Sequence, residues 1–153
     1  MRVTFDSTIL VYAVDADAGE KHSVSVDLIG RAADGDCVFT LQSLAEFFYV
    51  ATRKASLDAA PAAAFVDDWR AVFPVFAADE GTLVGAMEAV DRHGLSFWDA
   101  MIWAAARRAD CRVLMSEDFQ DGRTLEGVTF VNPFAPENAA LVDSALTPLP
   151  RRT

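Results

Sequence analysis

Four carboxylates in separate parts of the chain are the side chains most suited to chemistry. They are Asp6, Glu46, Asp99 and Asp118. Carboxylates that meet at one place repel each other, so they must take up protons or bind cations. Mg²⁺ and Mn²⁺ prefer sites made only of oxygen ligands. The four acids therefore indicate a site for a hard cation, on the condition that the fold brings them together.

Asp6 interrupts an apolar stretch, 3–12, that predicts a short buried strand running directly into a helix. An anion between apolar residues is costly unless something compensates its charge. Asp6 or Ser7 can cap the following helix by accepting backbone N–H bonds. Alternatively, Asp6 is a cation ligand at the carboxyl end of a first strand, where open α/β sheets bind their ligands. The stretch alone supports both explanations equally.

Glu46 and Asp99 each have a structural explanation as well. Ser43 and Ser96 precede them by three residues, which is the spacing of a capping box. Helical periodicity starts as early as Leu41, however, and this would put Ser43 inside the helix, so a functional role is favoured for Glu46. For Asp99 alone, stabilisation of a helix N-terminus by about 0.3–1 kcal/mol is the stronger explanation.

The segment 116–122 holds three acids after the predicted strand 112–115. They are Glu117, Asp118 and Asp121, and Gly122 follows the last of them. Asp-Gly is a turn signal, so turn formation explains this segment as well as cation binding does.

The predicted elements bring the four acids to one edge. Strands and helices alternate, which predicts a mostly parallel sheet with helices on both faces. Asp6 and Asp118 each end a predicted strand, and Asp99 begins the helix that leads to the second of these strands. Glu46 lies in the first turns of the helix after another strand. The separate structural explanations do not predict this common location.

Two further helices are predicted outside this edge. The helix 79–93 is expected to turn four apolar side chains to the core: Leu83, Val84, Met87 and Val90. A short helix is expected around 139–146, and the end of the chain, with Pro148, Pro150 and residues 151–153, is expected to be frayed.

Composition limits the classes of function. The 153 residues suit one domain, and the net charge of −10 excludes a broad basic surface for nucleic acid. Nucleic acid would have to be bound through divalent cations and a few local Arg and Lys side chains, whereas a basic protein partner suits the charge directly. The sequence shows no zinc ligand set, no Gly-rich phosphate loop and no Ser-His-Asp pattern.

The chain is expected to be cytoplasmic. No apolar run reaches the roughly 18–20 residues that span a bilayer, and the N-terminus predicts no signal peptide. Cys37 and Cys111 each open a predicted strand and are expected to be buried free thiols.

The ordered set of motifs resembles PIN-domain ribonucleases, specifically VapC-type toxins of bacterial toxin–antitoxin pairs. The matching segments are 5–10, 44–47, 95–100 and 114–119, and the segment 122–134 is also similar. The resemblance covers residues 1–134 as a PIN domain and leaves 135–153 as a C-terminal tail. It implies a three-layer α/β/α sandwich around a mostly parallel sheet of four to five strands.

The resemblance also implies roles for particular residues. Asp6 and Asp99 match the principal metal-binding aspartates of the family, and Glu46 and Asp118 match the acids that complete a catalytic quartet. The residues that match supporting positions, or that could share or replace the role of Asp118, are Ser7, Ser116, Glu117 and Asp121.

The activity implied by the resemblance is hydrolysis of RNA phosphodiester bonds with Mg²⁺, or with Mn²⁺. The family further implies a homodimer and a VapB-like antitoxin whose C-terminal segment covers the acidic groove. A net charge of −10 agrees with a basic antitoxin segment.

Three alternatives stay open at this point. A phosphatase of the haloacid-dehalogenase type would use Asp6 as nucleophile, but that family expects a second Asp two residues on, where this chain has Thr8. In a non-enzymatic interaction module, the acids would only bind a basic partner. A DNA-directed nuclease of the same fold is the weaker third alternative.

Overall fold

The computed structural model describes residues 1–150. The strands are β1 (Val3–Phe5), β2 (Phe39–Thr40), β3 (Val75–Phe76), β4 (Val113–Met115), β5 (Thr124–Leu125) and β6 (Val128–Val131). The α-helices are α1 (Ser7–Val14), α2 (Glu20–Ala32), α3 (Leu41–Arg53), α4 (Ala59–Val72), α5 (Glu80–His93), α6 (Phe97–Arg108) and α7 (Ala139–Ala145). Short 3-10 helices lie at Ala16–Ala18 and Pro136–Asn138.

The central sheet has the strand order β1-β4-β6-β5. Its first two pairings are parallel, and β5 is antiparallel to β6. The parallel pair of β2 and β3 continues this sheet through a bridge between Val3 and Cys37. The sequence did not predict β5, which forms a hairpin through Glu126 and Gly127, both at positive φ. The predicted α/β class with a mostly parallel sheet is confirmed.

Both faces of the sheet are covered by helices. Along β4, Val113 and Met115 pack into one core, and Leu114 between them packs into the other, as the alternation of a strand requires. The first core contains buried residues of α1, α2, α3, α4 and α7, and the second contains those of α5 and α6. This arrangement is the expected three-layer sandwich.

The predicted inward face of α5 is wrong. Its buried residues are Thr82, Ala86 and Ala89. Small residues allow a close approach to α6, since a Cβ placed on Gly85 would lie 3.7 Å from that of Ala104. This helix is apolar on more than one side, so periodicity alone could not choose its buried face. The four residues expected to face inward are between 40% and 51% exposed: Leu83, Val84, Met87 and Val90.

The segment after residue 134 packs onto the domain. Val142, Ala145 and Leu146 are buried in the first core. The backbone N–H of Leu149 donates to the carbonyl of Asp34 at 2.9 Å, so the chain beside Pro148 is held rather than frayed as expected. The predicted fraying of residues 151–153 lies outside the described residues. Among residues 1–150, each helix is too short or too polar to cross a bilayer.

Candidate metal and active site

Asp6 lies where β1 passes into α1. Its side chain is only 6% exposed, and both of its oxygens accept hydrogen bonds. The N–H of Ser7 donates to Oδ1 at 2.7 Å, and the hydroxyl of Ser116 donates to Oδ2 at 2.8 Å. Asp6 therefore caps α1 and also faces the carboxyl end of β4, so the two explanations offered by the sequence do not exclude each other.

Ser116 connects two of the predicted acids. Its hydroxyl, which is buried, donates to Asp6 and accepts from the backbone N–H of Asp118 at 3.0 Å. The N–H of Asp6 in turn donates to the carbonyl of Met115 at 3.0 Å. The ends of β1 and β4 are thus fixed to each other at the residues that carry the acids.

Glu46 lies inside α3 and does not form a capping box. The helix begins after Thr40, whose hydroxyl accepts from the N–H of Ser43 at 3.1 Å. The Glu46 carboxylate accepts from the hydroxyl of Ser7 at 3.0 Å and from the amide of Gln42 at 2.8 Å. Ser7 therefore stands between Asp6 and Glu46 and holds the second acid beside the first.

Asp99 lies in the first turn of α6 and is half-buried. Ser96 is the N-cap residue of this helix, but its side chain makes no capping hydrogen bond. The capping-box explanation of Asp99 therefore lacks its reciprocal bond. The amide of Gln42 donates to the carbonyl of Trp98 at 3.2 Å, which holds the beginning of α6 next to α3.

Electrostatic interactions connect the four acids. Burial raises the pKa of Asp6 from its ordinary value of 3.8 to about 6; hydrogen bonds from Ser116 and Ser7 oppose this rise, and repulsion by Asp118 and Glu46 adds to it. For Asp118, burial and repulsion by Glu117 and Asp99 raise the pKa of the carboxyl group. Each acid of the predicted quartet thus interacts with at least one other.

Glu117 points away from these acids. Its carboxylate accepts a hydrogen bond from the hydroxyl of Tyr12 and an ion-paired bond from Lys21 at 2.7 Å. Burial acts to raise the pKa of Glu117, but the bonds from Lys21 and Tyr12 outweigh it and hold the pKa below its ordinary value. Lys21 also lies over the rings of Tyr12 and Phe134, at 5.1 and 5.5 Å from their centroids.

Asp121 has a structural use in the loop. It accepts hydrogen bonds from the backbone N–H of Asn132 at 2.8 Å and from the amide of Asn138 at 2.9 Å. These bonds fasten the segment that follows β6. The structure therefore links Asp6, Glu46 and Asp118 through Ser7 and Ser116, and Asp99 lies near enough to Asp118 to raise its pKa. The carboxylates of Glu117 and Asp121 are engaged elsewhere.

Sequence reasoning missed four residues that support this arrangement. Thr40 caps the helix of Glu46, Gln42 binds Glu46, and Tyr12 with Lys21 holds the residue next to Asp118. Gln42 stands one helical turn before Glu46, which is a usable signal. The contact of Lys21 with Glu117 spans 96 residues and has no local signal.

The donor set fits a hard cation. It consists of oxygens alone. A positive charge between the carboxylates would relieve the repulsion by Asp118 and Glu46 that adds to the effect of burial on the pKa of Asp6. Within residues 1–150, no three acidic, histidine or cysteine side chains already stand in a ligating cluster. Mg²⁺ does not need such a cage, because it keeps several waters and is often held by one or two carboxylates.

Comparison with known proteins identifies the family. Residues 3–120 match the family model of the PIN domain. Among curated proteins, none matches the chain.

Solved structures of the same fold include three from toxin–antitoxin systems. A toxin–antitoxin complex from Klebsiella pneumoniae has 17% identity and a TM-score of 0.63, over 86% of this chain and 98% of the other. VapC20 from Mycobacterium tuberculosis, described as a toxin that cleaves the sarcin–ricin loop, has 19% identity and a TM-score of 0.60, over 76% and 91%. DNA-bound VapBC from Salmonella typhimurium has 14% identity and a TM-score of 0.62, over 85% and 96%. The chain belongs to the PIN domain family.

Proposed function

We propose that this PIN domain is the toxin of a VapBC-type pair and hydrolyses RNA phosphodiester bonds with Mg²⁺ or Mn²⁺. The observation that carries the proposal is the arrangement of Asp6, Glu46 and Asp118 around the hydroxyls of Ser7 and Ser116, with Asp99 near enough to raise the pKa of Asp118. Family membership and the similarity to described toxins support it. Its place of action is the cytoplasm, where RNA is available.

Each residue of the site has a proposed task. Asp6 and Asp99 would hold the cation, and Glu46 and Asp118 would bind it through waters or orient the attacking water. Ser7 and Ser116 keep Asp6 and Glu46 in position through their hydroxyl groups. A bound Mg²⁺ supplies Lewis acidity toward the scissile phosphate and the attacking water. The repulsion among the acids also explains why an RNA backbone would enter only with cations present.

Cleavage of structured RNA by the purified, antitoxin-free protein tests the proposal. The panel contains a sarcin–ricin stem-loop, a transfer RNA and a DNA hairpin, each with Mg²⁺, Mn²⁺ or EDTA. We expect cleavage of RNA that stops with EDTA and in Asp6→Asn. Asp36→Asn is the matched control, because Asp36 lies at the opposite end of the strands and should leave cleavage intact. If EDTA and Asp6→Asn both leave cleavage unchanged, the proposal is wrong.

The same material separates the alternatives. A phosphatase using Asp6 as nucleophile would form an aspartyl phosphate that acid quenching traps, and Thr8 leaves that chemistry without its second Asp. A purely binding module would show no cleavage of any member of the panel. Cleavage of the DNA hairpin in place of RNA would indicate a DNA-directed nuclease.

An antitoxin with a basic C-terminal segment is the proposed partner. The net charge of −10 and the clustered acids favour a cationic peptide. Co-expression with the small protein encoded next to this gene should give a complex that suppresses cleavage. A neighbouring protein that neither co-purifies nor inhibits would contradict the toxin assignment.

We also propose that the protein is a homodimer. The exposed apolar stripe on α5, described above, gives a second copy a surface to cover. Light scattering should give twice the chain mass, and the paired change Val84→Glu with Met87→Lys should give a folded monomer. A wild-type monomer at micromolar concentration would contradict this proposal.

A further inference from the structure

A pocket of about 640 Å³ adjoins the acidic site. Its walls come from one face of α3 and from the beginning of α6, and it is lined by Gln42, Ala45, Glu46, Tyr49, Val50 and Trp98. Glu46 therefore belongs both to the acidic site and to this pocket. Any group that fills the pocket lies directly beside the Glu46 carboxylate.

Two exposed aromatic rings border the pocket. Trp98 is 63% exposed and Tyr49 is 58% exposed. Trp98 immediately precedes Asp99, and Phe97 supports its ring edge-on, with the centroids 4.9 Å apart. Flat rings that are open to solvent next to a phosphodiester site offer stacking surfaces for nucleobases.

A cation lies beside Tyr49, one of the two rings of the pocket. The guanidinium of Arg53 lies 5.0 Å from the ring centroid of Tyr49, one helical turn along α3. Within the described part of the chain, Arg53 has no carboxylate partner, whereas most other arginines are ion-paired. Glu46 and Arg53 are seven residues apart, about 10 Å along the helix axis. The face of α3 thus runs from an acid through an aromatic ring to a positive charge.

We propose that this pocket, the Tyr49–Trp98 pocket, binds an unpaired nucleobase of the RNA substrate next to the scissile phosphate. The inference rests on the proposed nuclease function and adds to it a base-binding subsite formed by these two rings. A base in a duplex stacks on its neighbours and does not present its face to a protein ring. Arg53 then contacts a neighbouring phosphate, a task for which a chain with net charge −10 has few free cations.

Tryptophan fluorescence tests stacking without measuring cleavage. Trp69 and Trp103 are buried, so the exposed Trp98 should respond to a ligand in the pocket. Wild-type protein with Ca²⁺ is titrated with single-stranded oligoriboadenylate and with an abasic oligomer of equal length. We expect quenching by the oligoadenylate that is lost in Trp98→Phe, and an affinity for the abasic oligomer that is lower by about tenfold.

Variants then test whether the aromatic rings cause the preference for oligoadenylate over the abasic oligomer. Tyr49→Leu should weaken oligoadenylate binding about tenfold and leave binding of the abasic oligomer unchanged, while Tyr49→Phe should retain wild-type affinity. Phe48→Leu is the matched control, because Phe48 is a neighbouring exposed aromatic residue that faces α4 instead of this pocket. Thermal melting verifies that each variant is folded.

Two results would overturn the inference. One is equal affinity of wild type and Tyr49→Leu for oligoadenylate. The other is loss of antitoxin binding in Tyr49→Leu with unchanged RNA binding, which would make the pocket a protein-binding surface. Either result with RNA cleavage intact leaves the proposed function standing, whereas absence of Mg²⁺-dependent cleavage of any RNA removes that function by itself.

Discussion

The two ends of the parallel strands hold acidic side chains in opposite ways. At the amino end, Arg2 donates to the carboxylate of Asp36 at 2.9 Å and to the carbonyl of Ala109 at 2.9 Å. The hydrogen bond that Arg2 donates to Asp36 raises the pKa of Arg2, so the charges stabilise each other. At the carboxyl end, Asp6 and Asp118 repel each other and both have raised pKa values. At the amino end, a side chain of the protein compensates the negative charge. At the carboxyl end, a bound cation would relieve the repulsion between the carboxylates.

The largest expected effect of this difference is on activity. Asp99→Asn removes a proposed ligand at the carboxyl end and should lower the rate of RNA cleavage by at least about 100-fold. Asp36→Asn makes the same chemical change at the amino end and should leave the rate unchanged. Single-turnover cleavage with Mg²⁺ measures both variants. If the two variants lost cleavage rate to a similar extent, the carboxyl end would not be the functional end of the strands.

The next effect is on stability in the absence of divalent cations. Asp6 has a folded pKa of about 6 against 3.8 in the unfolded chain, so its contribution to stability is fully present below pH 3.8 and is lost as pH rises through about 6. The loss corresponds to at most about 3 kcal/mol. Asp6→Asn, which keeps an acceptor for the N–H of Ser7, should therefore be more stable than wild type at pH 7.

Urea unfolding in EDTA at pH 4 and pH 7 measures this difference. The advantage of Asp6→Asn should grow from pH 4 to pH 7. Added Mg²⁺ should stabilise wild type and not the variant, because a ligand stabilises only the state that binds it. A variant that is less stable than wild type at pH 7 would contradict the view that Asp6 is held at a cost.

A smaller effect concerns Lys21, which acts on the site through Glu117. Its charge also lowers the pKa of Asp118. Lys21→Met should lower cleavage about tenfold and move the acid limb of the pH–rate profile to higher pH. Lys21→Arg should restore both quantities, and Arg70→Gln on α4 serves as the control. An unshifted pH profile in Lys21→Met would show that Lys21 only packs against Tyr12 and Phe134.

The smallest effect is expected for the ion pair at the amino end. Arg2 and Asp36 are both partly exposed, and such pairs contribute about 0.5 kcal/mol. Asp36→Asn should lower the free energy of unfolding by about this amount, and high salt should reduce the difference. A loss of several kcal/mol would mean that the amino end depends on this pair far more than its exposure suggests.

The transitions from strand to helix at the carboxyl end were predictable because their signals are local. A buried strand, a carboxylate and an apolar helix follow one another within 3–12, and at β2 and α3 a buried strand again runs directly into a helix, with Glu46 inside that helix. Capping of α3 was not predicted, because the sequence offered Ser43 in a capping box with Glu46 and did not single out Thr40. The structure decides for Thr40, because α3 begins directly after β2 without an intervening loop.

Features that depend on distant contacts were not predictable. Glu117 and Asp118 are adjacent, but the carboxylate of Glu117 is engaged by Tyr12 and Lys21, which are distant in the sequence. The buried face of α5 was misjudged because its partner α6 presents small residues, so alanines rather than large apolar side chains are covered. The spacing of residues along a single helix or strand indicates neither the partners of Glu117 nor the buried face of α5.

The hydroxyl of Ser116 has a consequence for motion at the site. It donates its one proton to Asp6, and its oxygen accepts a hydrogen bond from the N–H of Asp118. Both residues are therefore bonded to the same oxygen atom. A displacement of α1 that moves Asp6 must carry the backbone of Asp118 with it or break one of these bonds. We therefore expect the end of β1 and the end of β4 to fluctuate as one unit. The distance between Asp6 and Asp118 would then stay nearly constant for a cation held between them, while the surrounding helices move.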